Sequence, residues 1–285
     1  MVCLERGSTT VNGRAVSLWS RLGRIILSAL GLALVGRGLT ARPAPERLWF
    51  TDDFESGKLD AWQFPYPEDW AIVETGGDHY LHMVRSREPG VPRRPLQFAL
   101  LKGVKAGNFS LQIRVRREGR SMIVVFDYVD TLHFYYAHLS ADRGTAQPVH
   151  NGIFIVNGSE RTRIAGTDAP PALPDRNWHL IRVERNTTSG TIDVYSDVQA
   201  SPIFSVVDRA FTCGQIGIGS FDETGDFDNV TLIADDEGCL NQQITQITQI
   251  LQIDEARSKK WGSKQQQAKE SASRMLDSCS LILAP

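Results

Sequence analysis

The feature that most constrains this chain is an alternation of apolar and polar residues that persists from Leu48 to Ile233. Successive side chains of a β-strand point to opposite faces, so a period of two predicts strands with one buried face. Clusters of Gly, Pro, Asn and Asp separate the runs, as turns between antiparallel strands do. The predicted strands are Leu48–Phe54, Tyr80–Val84, Phe109–Arg117, Met122–Tyr128, His133–Ser140, Ile153–Val156, Trp178–Arg185, Thr191–Ser196, Gln215–Phe221 and Phe227–Ile233.

These strands predict two sheets packed face to face. In Phe109–Arg117, the apolar residues Leu111, Ile113 and Val115 alternate with polar residues such as Arg116. Each sheet must bury its apolar face against another layer. The sequence therefore predicts an all-β fold, a two-sheet antiparallel β-sandwich over residues 48–235.

The charge balance limits the classes of partner. The 285 residues include 31 basic and 33 acidic side chains, which gives a formal net charge of -2. Such a balance supplies no electrostatic reason for binding nucleic acid or an anionic membrane surface. We therefore expect no nucleic-acid partner.

The N-terminal segment, residues 1–41, has the order of a secretory signal peptide. Arg14, Arg21 and Arg24 precede the apolar run Ile25–Val35, and small and polar residues follow. That run is shorter than the roughly 20 residues of a membrane-spanning helix, so an uncleaved anchor is the alternative. We expect an extracytoplasmic protein, secreted or periplasmic, with no strong membrane binding once the segment is cleaved.

Export would expose three cysteines, Cys213, Cys239 and Cys279, to an oxidising compartment. Their odd number leaves at least one thiol unpaired. The chain has no Cys-x-x-Cys spacing, so metal–thiolate chemistry is not expected.

The composition changes after Asp235. Apolar residues at 244, 247, 250, 251 and 253 have a spacing that suits one face of a helix, and a polar, charged stretch follows them. This tail has too little apolar surface for a core of its own. Residues 236–285 are therefore predicted to be a marginal helix with disordered flanks.

Five segments resemble strands of laminin-G-like domains in the concanavalin A-like lectin/glucanase superfamily. These segments are Phe50–Phe54, Asn177–Val183, Gly190–Tyr195, Gly214–Gly219 and Phe227–Val230. The resemblance implies a jelly-roll sandwich. It leaves the function open, because the superfamily includes lectins, sugar-binding modules, glycoside hydrolases and adhesion domains.

Two enzyme groups of that superfamily bear on the function. Family-sixteen glycoside hydrolases carry a Glu-x-Asp-x-x-Glu motif on one strand, and this chain contains no Glu-x-Asp. The chain is similar to the 3-keto-disaccharide hydrolase family in length, export and strand pattern. That resemblance implies a glycoside-cleaving enzyme as the alternative to a binding module, and a purely structural adhesion domain is the third option.

The richest polar and aromatic cluster lies on the successive strands Met122–Tyr128 and His133–Ser140. If Ala137 faces the core, Tyr136 and His138 face outward onto an open sheet surface. Aromatic faces cover the C–H patches of a sugar, and charged groups bind its hydroxyls. The alternative is that these aromatics are ordinary strand residues.

We expect this surface to form a groove that binds carbohydrate or another cell-surface glycan. Arg116 and Asp127 are expected to share the surface, and His150 is expected at its rim. The candidate ligand-binding residues are Arg116, Asp127, Tyr136, His138 and His150. No catalytic pair stands out among them.

Acidic residues lie at the two ends of the predicted sandwich. Asp53 follows the first strand, and Asp228 lies on the last one. Terminal strands of such sandwiches commonly lie side by side, which would bring carboxylates together as oxygen ligands for a structural calcium ion. Two acidic turns that only solvate strand ends are the alternative.

If Asp53 and Asp228 share a calcium ion, chelation lowers the melting temperature, because an ion bound only by the folded state stabilises that state. Thermal unfolding with chelator and with millimolar calcium measures the effect. Equal melting temperatures would remove the calcium site.

Overall fold

The computed structural model describes residues 47–235 and scattered positions between 239 and 267. The predicted signal segment lies outside the described residues. Residues 47–235 form fifteen strands and one short 3-10 helix, Pro67–Asp69. The strands are β1 (Arg47–Asp52), β2 (Trp62–Gln63), β3 (Trp70–Thr75), β4 (Asp78–Met83), β5 (Gln97–Leu101), β6 (Phe109–Arg117), β7 (Ser121–Asp130), β8 (His133–Ser140), β9 (Gly152–Asn157), β10 (Thr162–Ala165), β11 (His179–Asn186), β12 (Thr191–Ser196), β13 (Phe204–Val207), β14 (Gln215–Ser220) and β15 (Gly225–Asp235).

The strands form two antiparallel sheets, which confirms the predicted sandwich. The eight-stranded sheet has the order β13-β12-β11-β6-β15-β4-β3, and β1 also pairs with β15. The seven-stranded sheet has the order β10-β9-β8-β7-β14-β5-β2. Among the described residues, no helix is long and apolar enough to cross a membrane. The described positions of the tail, such as 263–267, are helical.

The main core lies between the two sheets. Leu111, Ile113 and Val115 of β6 are fully buried in it, as the alternation predicts. Val124 and Tyr135 of the seven-stranded sheet belong to the same apolar cluster. The inward phase of both sheets therefore follows from the sequence pattern.

A second apolar layer covers the outer face of the seven-stranded sheet. Its members alternate along the strands with residues of the main core, so they point away from it. They are all buried: Phe98, Leu100, Ile123, Val125, Phe134, Tyr136, Phe154, Val156 and Phe221. This sheet is therefore apolar on both faces, whereas the sequence predicts one buried face for each sheet.

The first and last strands lie side by side, as predicted. β1 pairs with β15 so that Asp52 is opposite Val230. A disulfide joins Cys213, just before β14, to Cys239, beyond the end of β15. The cross-link therefore connects the start of β14, in the seven-stranded sheet, to the end of β15, in the eight-stranded sheet.

A buried ion pair lies where β7 bends. Asp127 has the left-handed φ of 47° at an irregularity in the pairing of β7 with β8. Its Oδ2 accepts a hydrogen bond of 3.0 Å from Nε of Arg185, and both side chains are fully buried. Gly214 packs against this bend, where a Cβ would lie 2.2 Å from the carbonyl carbon of Asp127.

Arg185 links several segments through its other nitrogens. It donates to the carbonyl oxygens of Gly190, Asp208 and Phe211 at 2.6–3.0 Å. Burial raises the pKa of Asp127 to about 7 against the opposing effect of Arg185. The buried guanidinium thus holds the turn between β11 and β12 and the segment after β13 in place by hydrogen bonds.

Replacing this cation should destabilise the fold strongly. Arg185→Gln leaves the buried Asp127 without its ion-pair partner and the three carbonyls without their donor, so we expect a loss of about 3 kcal/mol or more. Urea unfolding measures it. Arg182→Gln, on the outer face of the same strand, is the control and should change the unfolding free energy by less than about 1 kcal/mol.

Candidate functional site

Three of the predicted ligand residues lie close together near Arg161, between β9 and β10: Tyr136 and His138 contact it, and His150 lies beside His138. Arg161 Nη1 lies 3.1 Å from the hydroxyl oxygen of Tyr136 and 3.1 Å from Nδ1 of His138. Its Nη2 donates to the carbonyl oxygen of Val149 at 2.7 Å. The rings of His138 and His150 are 5.5 Å apart. We call this group the Arg161 site: Arg161, Tyr136, His138, His150 and the rim residues Arg120 and Asp142.

The contacts of His138 determine its tautomer. A guanidinium only donates, so Nδ1 of His138 must accept from Arg161, and the ring proton sits on Nε2. That proton points at the hydroxyl oxygen of Ser121, 2.8 Å away. His138 therefore donates to Ser121 and has no free nitrogen with which to activate it as a nucleophile.

Three polar side chains, those of His150, Asp142 and Arg120, lie close together at the rim of the site. His150 Nδ1 lies 3.2 Å from Oδ2 of Asp142 and 3.3 Å from Nη1 of Arg120. The side chains of Arg120 and Asp142 are 47% and 26% exposed. These two rim groups are accessible to a dissolved ligand.

The interior of the site is closed, which corrects one expectation. Tyr136 and His138 do face outward from the main core, as the strand phase predicts, but neither is exposed. The rings of Tyr136 and Phe154 are stacked with their centres 5.1 Å apart. The guanidinium carbon of Arg161 lies 4.6 Å from the centre of the Phe154 ring. The Tyr136 ring is part of the second apolar layer and is no open stacking surface.

Burial also determines the charge state of the two imidazoles. The pKa of His138 lies well below its usual value, first because the ring is buried and then because Arg161, His150 and Arg93 oppose its protonation. Burial lowers the pKa of His150 too, and Asp142 partly offsets this. Both rings are therefore predominantly neutral hydrogen-bonding groups at pH 7.

Arg116 lies on the other sheet, so the expectation that it shares a surface with Tyr136 is wrong. It projects from the outer face of the eight-stranded sheet, where its Nε lies 2.7 Å from Asp226. Its guanidinium carbon is 4.7 Å from the ring centre of Trp178. His82 contacts the other oxygen of Asp226 at 2.8 Å. The turn between β6 and β7 crosses from one sheet to the other, and this separates the two side chains.

Asp127 also lies away from the Arg161 site. The strand bends at this residue, and its side chain enters the interior to pair with Arg185. Its Oδ1 is buried without a hydrogen-bond partner among the described residues. The expected surface shared by Asp127 and Arg116 does not form.

The two predicted calcium ligands have separate surroundings. Asp228 is buried, with its Oδ2 3.2 Å from Nη1 of Arg114. Asp53 is exposed, and its Oδ1 accepts from the backbone N–H of Glu55 at 3.3 Å. Within the described part of the chain, no cluster of three or more His, Cys, Asp or Glu side chains is placed to hold a metal ion. Calcium binding stays a prediction.

The sequence predictions did not include Arg161, Arg120 and Asp142 of the site, nor Ser121, which contacts His138 beside it. Arg161 follows the exposed turn after β9, in a stretch without strand alternation. Ser121 begins β7 and pairs with Ser140 at the far end of β8. The only signal in the sequence was a lone arginine near a cluster of aromatics and histidines.

Comparisons with known proteins identify similar architectures and no family. No family model matches the chain, and no curated protein matches it in sequence. Solved structures with a similar fold include a carbohydrate-binding module from Bacillus subtilis, with 16% identity, a TM-score of 0.44 and coverage of 60% of this chain and 94% of that one.

Two other solved structures have comparable similarity. A candidate glycosyl hydrolase from Parabacteroides distasonis has 15% identity, a TM-score of 0.41 and coverage of 64% and 98%. Winged bean acidic lectin, complexed with methyl-α-D-galactose, has 9% identity, a TM-score of 0.45 and coverage of 67% and 99%. Similarity this low carries no functional argument, so function is argued below from the chain's own residues.

Acidification should destabilise the fold through His138. Its folded-state pKa lies below that of the unfolded chain, so its contribution to stability is present above about pH 6.5 and is lost as the pH falls. We expect a loss of about 2 kcal/mol between pH 7 and 5 from this group. Urea unfolding at both pH values should show a smaller loss in His138→Gln, and an equal loss in both proteins would contradict the assignment.

Proposed function

We propose that this chain is an exported carbohydrate-binding module of the concanavalin A-like, laminin-G-like kind, and that it binds a saccharide at the rim of the Arg161 site. The observation that carries the proposal is the cluster in which Tyr136 and His138 contact Arg161 and His150 lies against His138. Tyr136 and His138 lie on β8, His150 precedes β9 and Arg161 precedes β10, and they meet at the outer face of the seven-stranded sheet. Arg120 and Asp142 stand exposed above them.

The chemistry of the rim suits the recognition of hydroxyl groups. Asp142 supplies an acceptor, and Arg120 supplies several donors in a planar fork. Nδ1 of the nearly buried His150 lies within hydrogen-bond distance of both groups and bonds to one of them at a time: with its proton it donates to Asp142, and without it accepts from Arg120. Its ring reduces the freedom that the rim side chains would lose when a ligand binds, which favours affinity.

Binding is better supported than hydrolysis. Two carboxyl groups must flank the glycosidic bond in the usual glycosidase mechanisms. Among the described residues, Asp142 is the only carboxylate within hydrogen-bond distance of the imidazoles of the Arg161 site. His138 directs its proton toward Ser121, so a serine nucleophile is not activated there.

Export is supported by the Cys213–Cys239 disulfide as well as by the N-terminal pattern. Disulfides persist in oxidising compartments and are rare in the cytosol. The signal segment itself stays a prediction.

A glycan array probed with the full-length chain tests the proposal. We expect binding to a defined set of saccharides and no reaction products after prolonged incubation with them. Arg120→Gln removes a charged donor from the rim, so binding should weaken by about tenfold, which corresponds to about 1.4 kcal/mol.

Arg47→Gln is the matched control, because Arg47 is exposed and lies on β1 of the other sheet. It should bind like the unmodified chain. Equal binding by Arg120→Gln would exclude this rim as the site. Hydrolysis products would favour the 3-keto-disaccharide hydrolase relationship, and binding to no glycan would favour a structural adhesion domain.

A further inference from the structure

Two arginines stack on one phenylalanine beside the Arg161 site. The guanidinium carbon of Arg161 lies 4.2 Å from the ring centre of Phe221, and that of Arg93 lies 4.9 Å from it. The backbone N–H of Arg161 donates to the carbonyl oxygen of Arg93 at 2.9 Å, which keeps the two residues together. Phe221 is buried, so the ring is a fixed base for both cations.

Neither guanidinium forms an ion pair among the described residues. The hydrogen-bond partners of Arg161 are neutral: a phenol, an imidazole and a backbone carbonyl. Arg93 is exposed and contacts the π-face of Phe221. Other arginines of these sheets, such as Arg116 and Arg185, are paired with a buried carboxylate.

The nearby acidic groups do not neutralise this pair. Asp142 contacts His150 and Arg120, which balances its charge at the rim. Asp222 follows Phe221 and acts electrostatically on Tyr136 and His150, and it forms no ion pair with Arg93 or Arg161 among the described residues. Burial and the surrounding cations lower the pKa of His138, which is consistent with an excess of positive charge at this position.

We infer that the saccharide bound at the Arg161 site is acidic and that its carboxylate or sulfate group lies against Arg93 and Arg161. This inference rests on the proposed function and adds the class of ligand. Planar guanidinium groups match the geometry of oxyanions, and such charge-assisted hydrogen bonds are about twice as strong as neutral ones. Stacking on Phe221 holds the guanidiniums in place before the ligand arrives.

The test uses an array of paired glycans that differ only in the acidic group. One arm compares uronate oligosaccharides with their methyl esters, and the other compares sulfated with unsulfated oligosaccharides. We expect the full-length chain to bind the acidic member of at least one arm about tenfold more tightly than its neutral partner. The arm that responds identifies the oxyanion. The preference should decrease at high salt, because Arg93 is exposed and its charge is screened.

Arg93→Gln provides the decisive variant. Arg93 is exposed, so the fold should survive, which circular dichroism checks, and the preference for the acidic member should fall by at least about fivefold. Arg47→Gln should keep the full preference. Equal or tighter binding of the neutral members would overturn the inference and leave the proposed function standing. An unchanged preference in Arg93→Gln would also overturn it. Binding to no glycan would instead overturn the proposed function.

Discussion

The structure depends on a sheet that buries apolar side chains on both faces. Tyr135 enters the main core while its neighbour Tyr136 enters the second apolar layer, and both are fully buried. In a sheet of this kind, the burial of apolar side chains on each of the two faces stabilises the folded state. The outer layer must in turn be covered, so any polar group placed on that face needs a partner at the same depth.

That requirement explains the arrangement around Arg161. The hydroxyl of Tyr136 and Nδ1 of His138 would be costly to bury alone, and one guanidinium satisfies both. The aromatic rings of Phe154 and Phe221 accept the flat face of the same guanidinium. One residue therefore closes the apolar layer, and its charge, which has no ion-pair partner among the described residues, is the basis of the proposed anion site.

The sequence pattern predicted the sandwich because most strands have one polar face. All ten predicted strands exist, and the inward phase of β6 and β8 follows from their alternation. β5 was missed because each of its five residues is buried, so no alternation marks it. The short strands β2 and β13 have too few residues for a period to be recognised.

The site was predictable only in part. The alternation along β8 correctly predicted that Tyr136 and His138 point away from the main core. The grouping with Arg116 failed because consecutive strands, β6 and β7, belong to different sheets, and no local pattern reports this crossing. The bend at Asp127 could not be predicted either. Asp127 has a left-handed backbone conformation, but in the sequence it fits the alternation of apolar and polar residues like its neighbours.

The disulfide has a consequence for the unfolded chain. Cys213 and Cys239 are separated by 26 positions, and the loop between them contains all of β14 and β15. Closing a loop of that length removes conformational entropy from the unfolded state worth about 3.5 kcal/mol. These two strands lie in different sheets, so the unfolded oxidised chain already keeps one strand of each layer close to the other. The oxidised chain therefore loses less conformational entropy when the sandwich forms than the reduced chain does.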